Sequence, residues 1–298
     1  MSALQQLFAA TMGGLAPILA AALGGLASEY VGVLNIALEG LIMAGGFAYI
    51  AVGTVYGPFA GIVAALLLPA VLAYLQDLYA RKARADSFVV GLSLNLLVPG
   101  VASVLSQLMF ATKGVVSAPA LASPRLAQGM ASLPIIGPLL FGHRLSEYLA
   151  YALVGFVFLV LGATPFGLRA RALGMNPDAL ELGGLRPGLI RGWAYALSGL
   201  ACGASGLALA AAIGAWVPGL SAGRGWIALV AVYLGGRRLF GTLLAALLFA
   251  LLLAGANQAQ ALAWLPAELV AALPYVITTV VVIAGAAIKR RGRKKHQP

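Results

Sequence analysis

The residues with the most chemical potential in this sequence are an amide and a carboxylate inside an apolar run. Residues 29–49 read EYVGVLNIALEGLIMAGGFAY, and they include Asn35 and Glu39. Positions four apart on a helix share a face, so the sequence predicts that both side chains point the same way. Ionisable groups inside a membrane nearly always face a bundle interior or a wet cavity. The pair is therefore predicted to line a solute path, with the alternative that Glu39 only hydrogen-bonds to another helix and holds the bundle together.

Other side chains in the apolar runs could add contacts to the same path. Asn95, Asn257 and Gln258 offer hydrogen-bonding groups, and Phe47 or Trp226 offers an aromatic face for stacking. The predicted path residues are Asn35, Glu39, Phe47, Asn95, Trp226, Asn257 and Gln258. His143 has no second ligand at metal spacing, so neither a metal nor a cofactor is predicted.

Composition places these residues in a membrane protein. The chain has 298 residues, of which 62% are hydrophobic and 9% charged, and its mean hydropathy is +0.98. A soluble domain is typically about 25% charged. We predict an all-α polytopic membrane protein that forms one domain over residues 1–298. About nine spans (eight to ten) are predicted from the lengths of the apolar runs, most of which are long enough for a bilayer. They lie at 5–26, 31–52, 57–78, 88–110, 146–165, 191–213, 225–236, 240–257 and 268–288.

The basic residues give these spans an orientation. Most of the 19 Lys and Arg residues fall at 81–84, 169–191, 237–238 and 289–295, all on one side of the nine-span arrangement. By the positive-inside rule that side is the cytoplasm, which puts the C-terminus inside and the N-terminus outside. The net charge of +11 then reflects topology rather than a nucleic-acid partner. The basic tail is predicted to anchor at anionic membrane lipids.

A capped segment interrupts the cytoplasmic loop at 165–191. Asn176 is a good N-cap, Pro177 suits the first helical position, and Asp178 complements the helix dipole. Gly183 and Gly184 supply a stop. The sequence predicts a two-turn helix that inserts into a cleft on a cytoplasmic partner, with the alternative of a loop folded against the membrane surface.

Two later segments are notable for small residues. The sixth span carries Gly199 and Gly203 among serines and alanines, which predicts close helix packing rather than a binding site. Further on, a helix that starts after Ser221 or Gly223 would present free backbone N–H groups to an anionic or carbonyl-rich group. The alternative is an ordinary helix start at the outer interface, with Trp226 in an aromatic belt.

Four runs carry a family resemblance. They are GVLNIALEGLIMAGGFA (32–48), ADSFVVGLSLNLLVPGVAS (85–103), FGLRARALGMNPDALELGGL (166–185) and SAGRGWIALVAVYLGG (221–236). The chain resembles the inner-membrane permeases of bacterial ABC importers, in the branch for simple sugars, branched-chain amino acids and nucleosides, and most closely the shorter nucleoside-type permease. Where that family usually has adjacent alanines and an isoleucine in the loop, this chain has Leu180 and Leu185, which keep the apolar character.

The resemblance implies a transport subunit rather than an enzyme. It implies an ABC ATPase as a separate partner, a second related permease in a heterodimer, and an extracellular solute-binding lipoprotein. It also implies that the capped loop couples to the ATPase through Gly174, Asn176, Pro177, Asp178, Ala179, Leu182 and Gly183. Nucleosides are the first choice of solute and simple sugars the second. A secondary transporter or ion channel that uses Glu39 is the alternative from another class, and an intramembrane enzyme lacks a catalytic set.

Overall fold

The computed structural model describes residues 3–127, 129 and 136–261 of the chain. Within them, seven helices are long and apolar enough to cross a membrane. These are α1 (Ala3–Tyr30), α2 (Leu38–Tyr56), α3 (Pro58–Lys82), α4 (Ser87–Phe110), α6 (Leu145–Ala163), α9 (Pro187–Ile213) and α11 (Leu239–Ala261). The shorter elements are β1 (Val116–Ser117), a 3-10 turn (Pro119–Leu121), α5 (Ile136–Leu140), α7 (Pro165–Met175), α8 (Pro177–Leu182), β2 (Ala215–Trp216) and α10 (Arg224–Leu234).

Each of the first eight predicted spans overlaps one helix of the structure, and two of these spans need correction. The second begins only at Leu38, because residues 31–37 form turns and irregular backbone in which Gly32 has a φ of +80°. The seventh is α10, whose 11 residues reach only about 16 Å, roughly half of the hydrocarbon thickness. The ninth predicted span (268–288) and the basic tail lie outside the described residues.

The basic loops meet at one end of the bundle, which we call the basic end. The Arg237 guanidinium lies 3.0 Å from a carboxylate oxygen of Glu29, near the end of α1. The guanidinium of Arg171, from α7, lies 5.3 Å from the ring centroid of Tyr30, the last residue of α1. The loops after α6 and α10 therefore converge on the end of α1.

A buried carboxylate fastens three helices at the same end. Asp77 of α3 has a fully buried side chain and accepts hydrogen bonds from Arg81, at 2.8 Å, and from Arg191 of α9. Arg191 also donates to the Ser87 hydroxyl at the start of α4, at 3.0 Å. Because an unpaired buried charge is costly, this cluster holds α3, α4 and α9 together.

The opposite end is closed by a short ribbon. β1 pairs antiparallel with β2, with Val116 opposite Trp216. The Tyr49 hydroxyl, on α2, donates to the Leu121 carbonyl at 2.8 Å and joins the loop after α4 to the bundle. The ribbon thus ties the end of α4 to the end of α9.

α9 lies at the centre and packs against α1, α2, α3 and α6. A Cβ atom added to Gly199, Gly203 or Gly206 would lie only 2.0–2.2 Å from a backbone carbonyl oxygen of a neighbouring helix. Only glycine permits backbones to approach so closely, and such small-residue contacts are how membrane helices pack. The prediction that this helix serves close packing is confirmed.

This packing predicts the effect of enlarging one glycine. Gly199→Val should destabilise the fold by about 1–3 kcal/mol or more, since its side chain would collide with the Pro69 carbonyl of α3. The measurement is the thermal unfolding midpoint of the detergent-purified chain. Gly155→Val is the matched control, because a Cβ atom at Gly155 meets no atom within 4 Å. Equal midpoints for both variants would contradict the packing account.

Candidate functional site

The central feature of the site is the contact between the first turns of α2 and α10. Glu39, in the first turn of α2, accepts hydrogen bonds from the backbone N–H groups of Gly223, at 2.9 Å, and Gly225, at 2.8 Å. It also accepts one from the Ser221 hydroxyl. Both carboxylate oxygens are engaged, and Glu39 serves as the cap that α10 lacks in its own sequence. We call this contact the α2–α10 junction.

The junction lies deep in the bundle. α10 ends at Leu234, beside the basic end, so its first residue lies about 16 Å away, near the middle of a bilayer. Residues 217–223 connect β2 at the opposite end to this point without a helix. Irregular backbone at membrane depth is tolerated where protein buries it or where it lines a cavity. Here turns provide partners for some of the backbone N–H and carbonyl groups. One example is the hydrogen bond from the Ala222 N–H to the Gly219 carbonyl at 2.9 Å.

Asn35 does not share a helix face with Glu39, and that prediction was wrong. It lies in the irregular segment 31–37, fully buried, and its side-chain oxygen accepts from the Ala37 N–H and from Gln76 of α3. Its amide nitrogen donates to the Ser198 hydroxyl of α9 at 3.1 Å. The side chain therefore replaces the missing helical bonds and ties the segment to α3 and α9.

Asn95 of α4 closes the same interruption from the other side. Its oxygen accepts from the Gly40 N–H at 2.7 Å, and its nitrogen donates to the Ile36 carbonyl at 2.8 Å. One side chain thus satisfies a donor in the first turn of α2 and an acceptor just before that helix. Asn35, Glu39 and Asn95 are brought together around the irregular segment between α1 and α2.

The remaining predicted path residues are distributed more widely. Phe47 is buried against Trp216, with ring centroids 5.4 Å apart. Trp226 is 42% exposed and follows directly after Gly225 at the junction. Asn257 is exposed and Gln258 half-buried near the end of α11, away from the basic end. The structure places Trp226 beside the junction, and the role of all seven residues in a solute path stays a prediction.

Sequence reasoning did not place Arg224 among the path residues. This half-buried residue begins α10, and its guanidinium donates to the Ser221 carbonyl at 3.2 Å. Its Nε atom has no hydrogen-bond partner among the described residues. The sequence feature that could have identified Arg224 is a basic residue directly beside a predicted helix start. The Nε–H group of Arg224 is therefore a buried donor next to the junction.

The capped helix of the basic loop is present as predicted. α8 runs from Pro177 to Leu182, and the Asn176 side chain accepts from the Ala179 N–H at 3.2 Å. Leu182, the last residue of α8, is 90% exposed, and Met175, the last residue of α7, is 81% exposed. Large apolar side chains held out on an ordered element are typical of an interaction surface.

A glycine contact connects this loop to the break before α2. A Cβ atom on Gly174, near the end of α7, would lie 2.4 Å from the Tyr30 carbonyl oxygen and 2.9 Å from the Gly32 nitrogen. The two backbones therefore touch at the point where α1 ends. Residues 31–37, which include Asn35, therefore begin at a backbone contact with α7.

No metal site accompanies these features in the part of the chain that the structure describes, where no three possible ligands cluster. His143 instead lies 3.3 Å from the Glu147 carboxylate at the opposite end.

Comparison with known proteins identifies the family. A family model for the permease component of branched-chain amino acid transport systems matches residues 7–284. The chain belongs to this permease family. The resemblance seen in the sequence is therefore confirmed, and the protein is a multi-pass permease of the ABC transporter class. No solved structure matches it.

Three relatives of this permease are similar over most of their lengths. The guanosine ABC transporter permease protein NupQ of Bacillus subtilis is 29% identical, over 80% of this chain and 78% of the relative. The nucleoside ABC transporter permease protein NupC of Lactococcus lactis is 29% identical, over 94% and 92%. The putative glucose ABC transporter permease protein TsgC13 of Haloferax volcanii is 29% identical, over 88% and 80%.

The junction predicts how the permease responds when Glu39 is replaced. Glu39→Gln should destabilise the purified chain by about 1–3 kcal/mol, because one carboxylate oxygen becomes an NH₂ group that cannot accept a hydrogen bond. Glu39→Leu should cost more, since all three donors lose their acceptor. The measurement is again the thermal unfolding midpoint.

The exposed Glu181 provides the control for that experiment. Glu181→Gln removes the same charge and should leave the midpoint unchanged. If Glu39→Gln also left it unchanged, Glu39 would not be the cap of α10.

Proposed function

We propose that this permease forms the solute path of an ATP-driven importer in a bacterial inner membrane, with nucleosides as the solute. The observation that carries the proposal is α8, a capped helix whose Leu182 side chain is 90% exposed. Leu182 is not packed against the part of the chain that the structure describes, so its exposure calls for a partner. Because the chain belongs to an ABC permease family, the partner that fits is the ATPase subunit.

The charge distribution supports this placement. The basic end carries the arginines of three loops, and the positive-inside rule puts such an end in the cytoplasm. α8 then faces the compartment that contains ATP. The N-terminus lies outside, and the ninth predicted span returns the C-terminus to the cytoplasm. The whole chain of 298 residues serves as one permease domain.

The route from α8 to the solute path is short. α8 follows α7, whose Gly174 touches the backbone at Tyr30 and Gly32. The segment beyond Gly32 is tied by Asn35 to α3 and α9 and by Asn95 to α4. Coupling requires an element that responds as a unit in two states, and this bonded segment is suited to that role.

The proposed solute follows from the relatives and from the chemistry of the junction. Two of the three relatives named above are nucleoside or guanosine permeases. At the junction, the 42% exposed Trp226 offers an aromatic face to a base. A simple sugar is the second candidate, because a relative of similar identity is named as a glucose permease.

Partners follow from the same assignment. The importer would comprise this permease, a second related permease in a heterodimer, an ATPase and an extracellular solute-binding lipoprotein. Independent action as an ion-coupled transporter is less well supported, because all the hydrogen bonds described for Glu39 are to the start of α10.

The test of the proposed function changes the exposed surface of α8. Leu182→Asp should leave the permease in the membrane, since the side chain is 90% exposed, and should abolish copurification of the ATPase. Uptake of radiolabelled guanosine by cells that express the complete importer should fall to background. The measurements are subunit composition after affinity purification and the initial uptake rate.

Leu4→Asp is the matched control for this test. Leu4 is 65% exposed at the start of α1, far from the basic end, so its replacement should leave ATPase association intact. Full ATPase association and full uptake with Leu182→Asp would overturn the importer assignment. Saturable glucose uptake without guanosine uptake by the unaltered complex would instead select the sugar candidate.

A further inference from the structure

A groove at the basic end has no role in the solute path or in α8. It lies between the end of α6 and the start of α11, and its volume is about 850 Å³. Tyr30 and Arg171 form one side of it. The other side is the turn from Gly235 to Gly241, where the backbones of these two glycines are in contact.

Two arginines line this groove, and neither is paired with an acid in the part of the chain that the structure describes. Arg171 lies over the ring of Tyr30, and Arg238 is exposed and has no ion pair among the described residues. The adjacent Arg237, in contrast, pairs with Glu29 at 3.0 Å. No Asp or Glu lines the groove among the residues that the structure describes. The charge of the described lining is therefore positive, which suits an anionic ligand.

The other walls of the groove are apolar and open to the side of the bundle. Phe158 of α6 and Phe240 of α11 contact edge to face, with ring centroids 5.4 Å apart. Phe240 is 72% exposed and Leu159 is 61% exposed, on helices that cross the membrane. The floor is at Gly162, where a Cβ atom would lie 3.1 Å from Leu239. The ligand must therefore present both an anionic group and apolar chains.

We propose that this groove binds one anionic phospholipid, with its phosphate at Arg171 and Arg238 and its acyl chains along Phe158, Leu159 and Phe240. Basic pockets at the ends of membrane helices are suited to such head groups, and arginine binds phosphate oxygens with two parallel hydrogen bonds. A free phosphate ion would leave the aromatic walls uncovered. The lipid site is independent of the identity of the solute and of the docking of α8.

The test uses the full-length permease purified in detergent and titrated with lipid under native mass spectrometry. Palmitoyl-oleoyl-phosphatidylglycerol should remain bound in preference to the phosphatidylcholine with the same acyl chains. The double variant Arg171→Gln/Arg238→Gln should lower the apparent affinity for phosphatidylglycerol about 25-fold, since each arginine contributes roughly fivefold. Arg238→Gln alone, at an exposed side chain, should lower it about fivefold.

Two control arms distinguish this site from general surface charge and from a phosphate site. Arg169→Gln/Arg186→Gln removes two exposed arginines that do not line the groove, so it should leave lipid binding unchanged. Glycerol 3-phosphate, which lacks acyl chains, should not displace the lipid. The proposal is overturned if the control variant weakens binding as much as the groove variant, if glycerol 3-phosphate competes effectively, or if the two lipids bind equally.

Discussion

The bond between the Glu39 carboxylate and the start of α10 is the interaction on which the rest of the structure depends. An unpaired backbone group in hydrocarbon costs several kcal/mol, so a helix cannot begin at mid-membrane unless its first N–H groups find acceptors. Glu39 supplies acceptors for Gly223 and Gly225, and Asn95 does the same for Gly40 in α2. The N-termini of α2 and α10 are thereby stable at a depth where helix ends without acceptors would not be.

The small residues of α9 make this arrangement possible. A Cβ atom on Gly45 would lie 2.7 Å from the Gly203 Cα atom, so α2 rests directly on the backbone of α9. α2 and α9 are therefore fitted to each other at backbone contact, with no side chains between them at this point. In the proposed importer, the irregular segment 31–37 receives the displacement of α8 through Gly174 and passes it to the junction.

Sequence reasoning predicted the features that depend on local signals. Run lengths gave most of the membrane helices, and Asn176 with Pro177 gave the start of α8. It placed the second span at 31–52 and so missed where the helix begins, because the apolar run continues through 31–37 and no proline marks the irregular segment. The role of Asp77 depends on Arg191, 114 residues away, and such a distant pairing leaves no trace in local periodicity. From the sequence alone, Glu39 could line a solute path or hydrogen-bond to another helix. Its partners at the start of α10 lie more than 180 residues away and are visible only in the structure.

The central claim is that the Gly174 contact transmits ATP-driven motion to the α2–α10 junction. The most direct test is the number of nucleoside molecules imported per ATP hydrolysed by the complete importer in proteoliposomes that carry Gly174→Ala. The account predicts retained ATPase association and hydrolysis with a several-fold lower ratio, because the added Cβ would displace the backbone at Tyr30 and Gly32. Gly14→Ala, in α1 with no atom within 4 Å of its Cβ, should keep the normal ratio. A normal ratio for Gly174→Ala would contradict the claim.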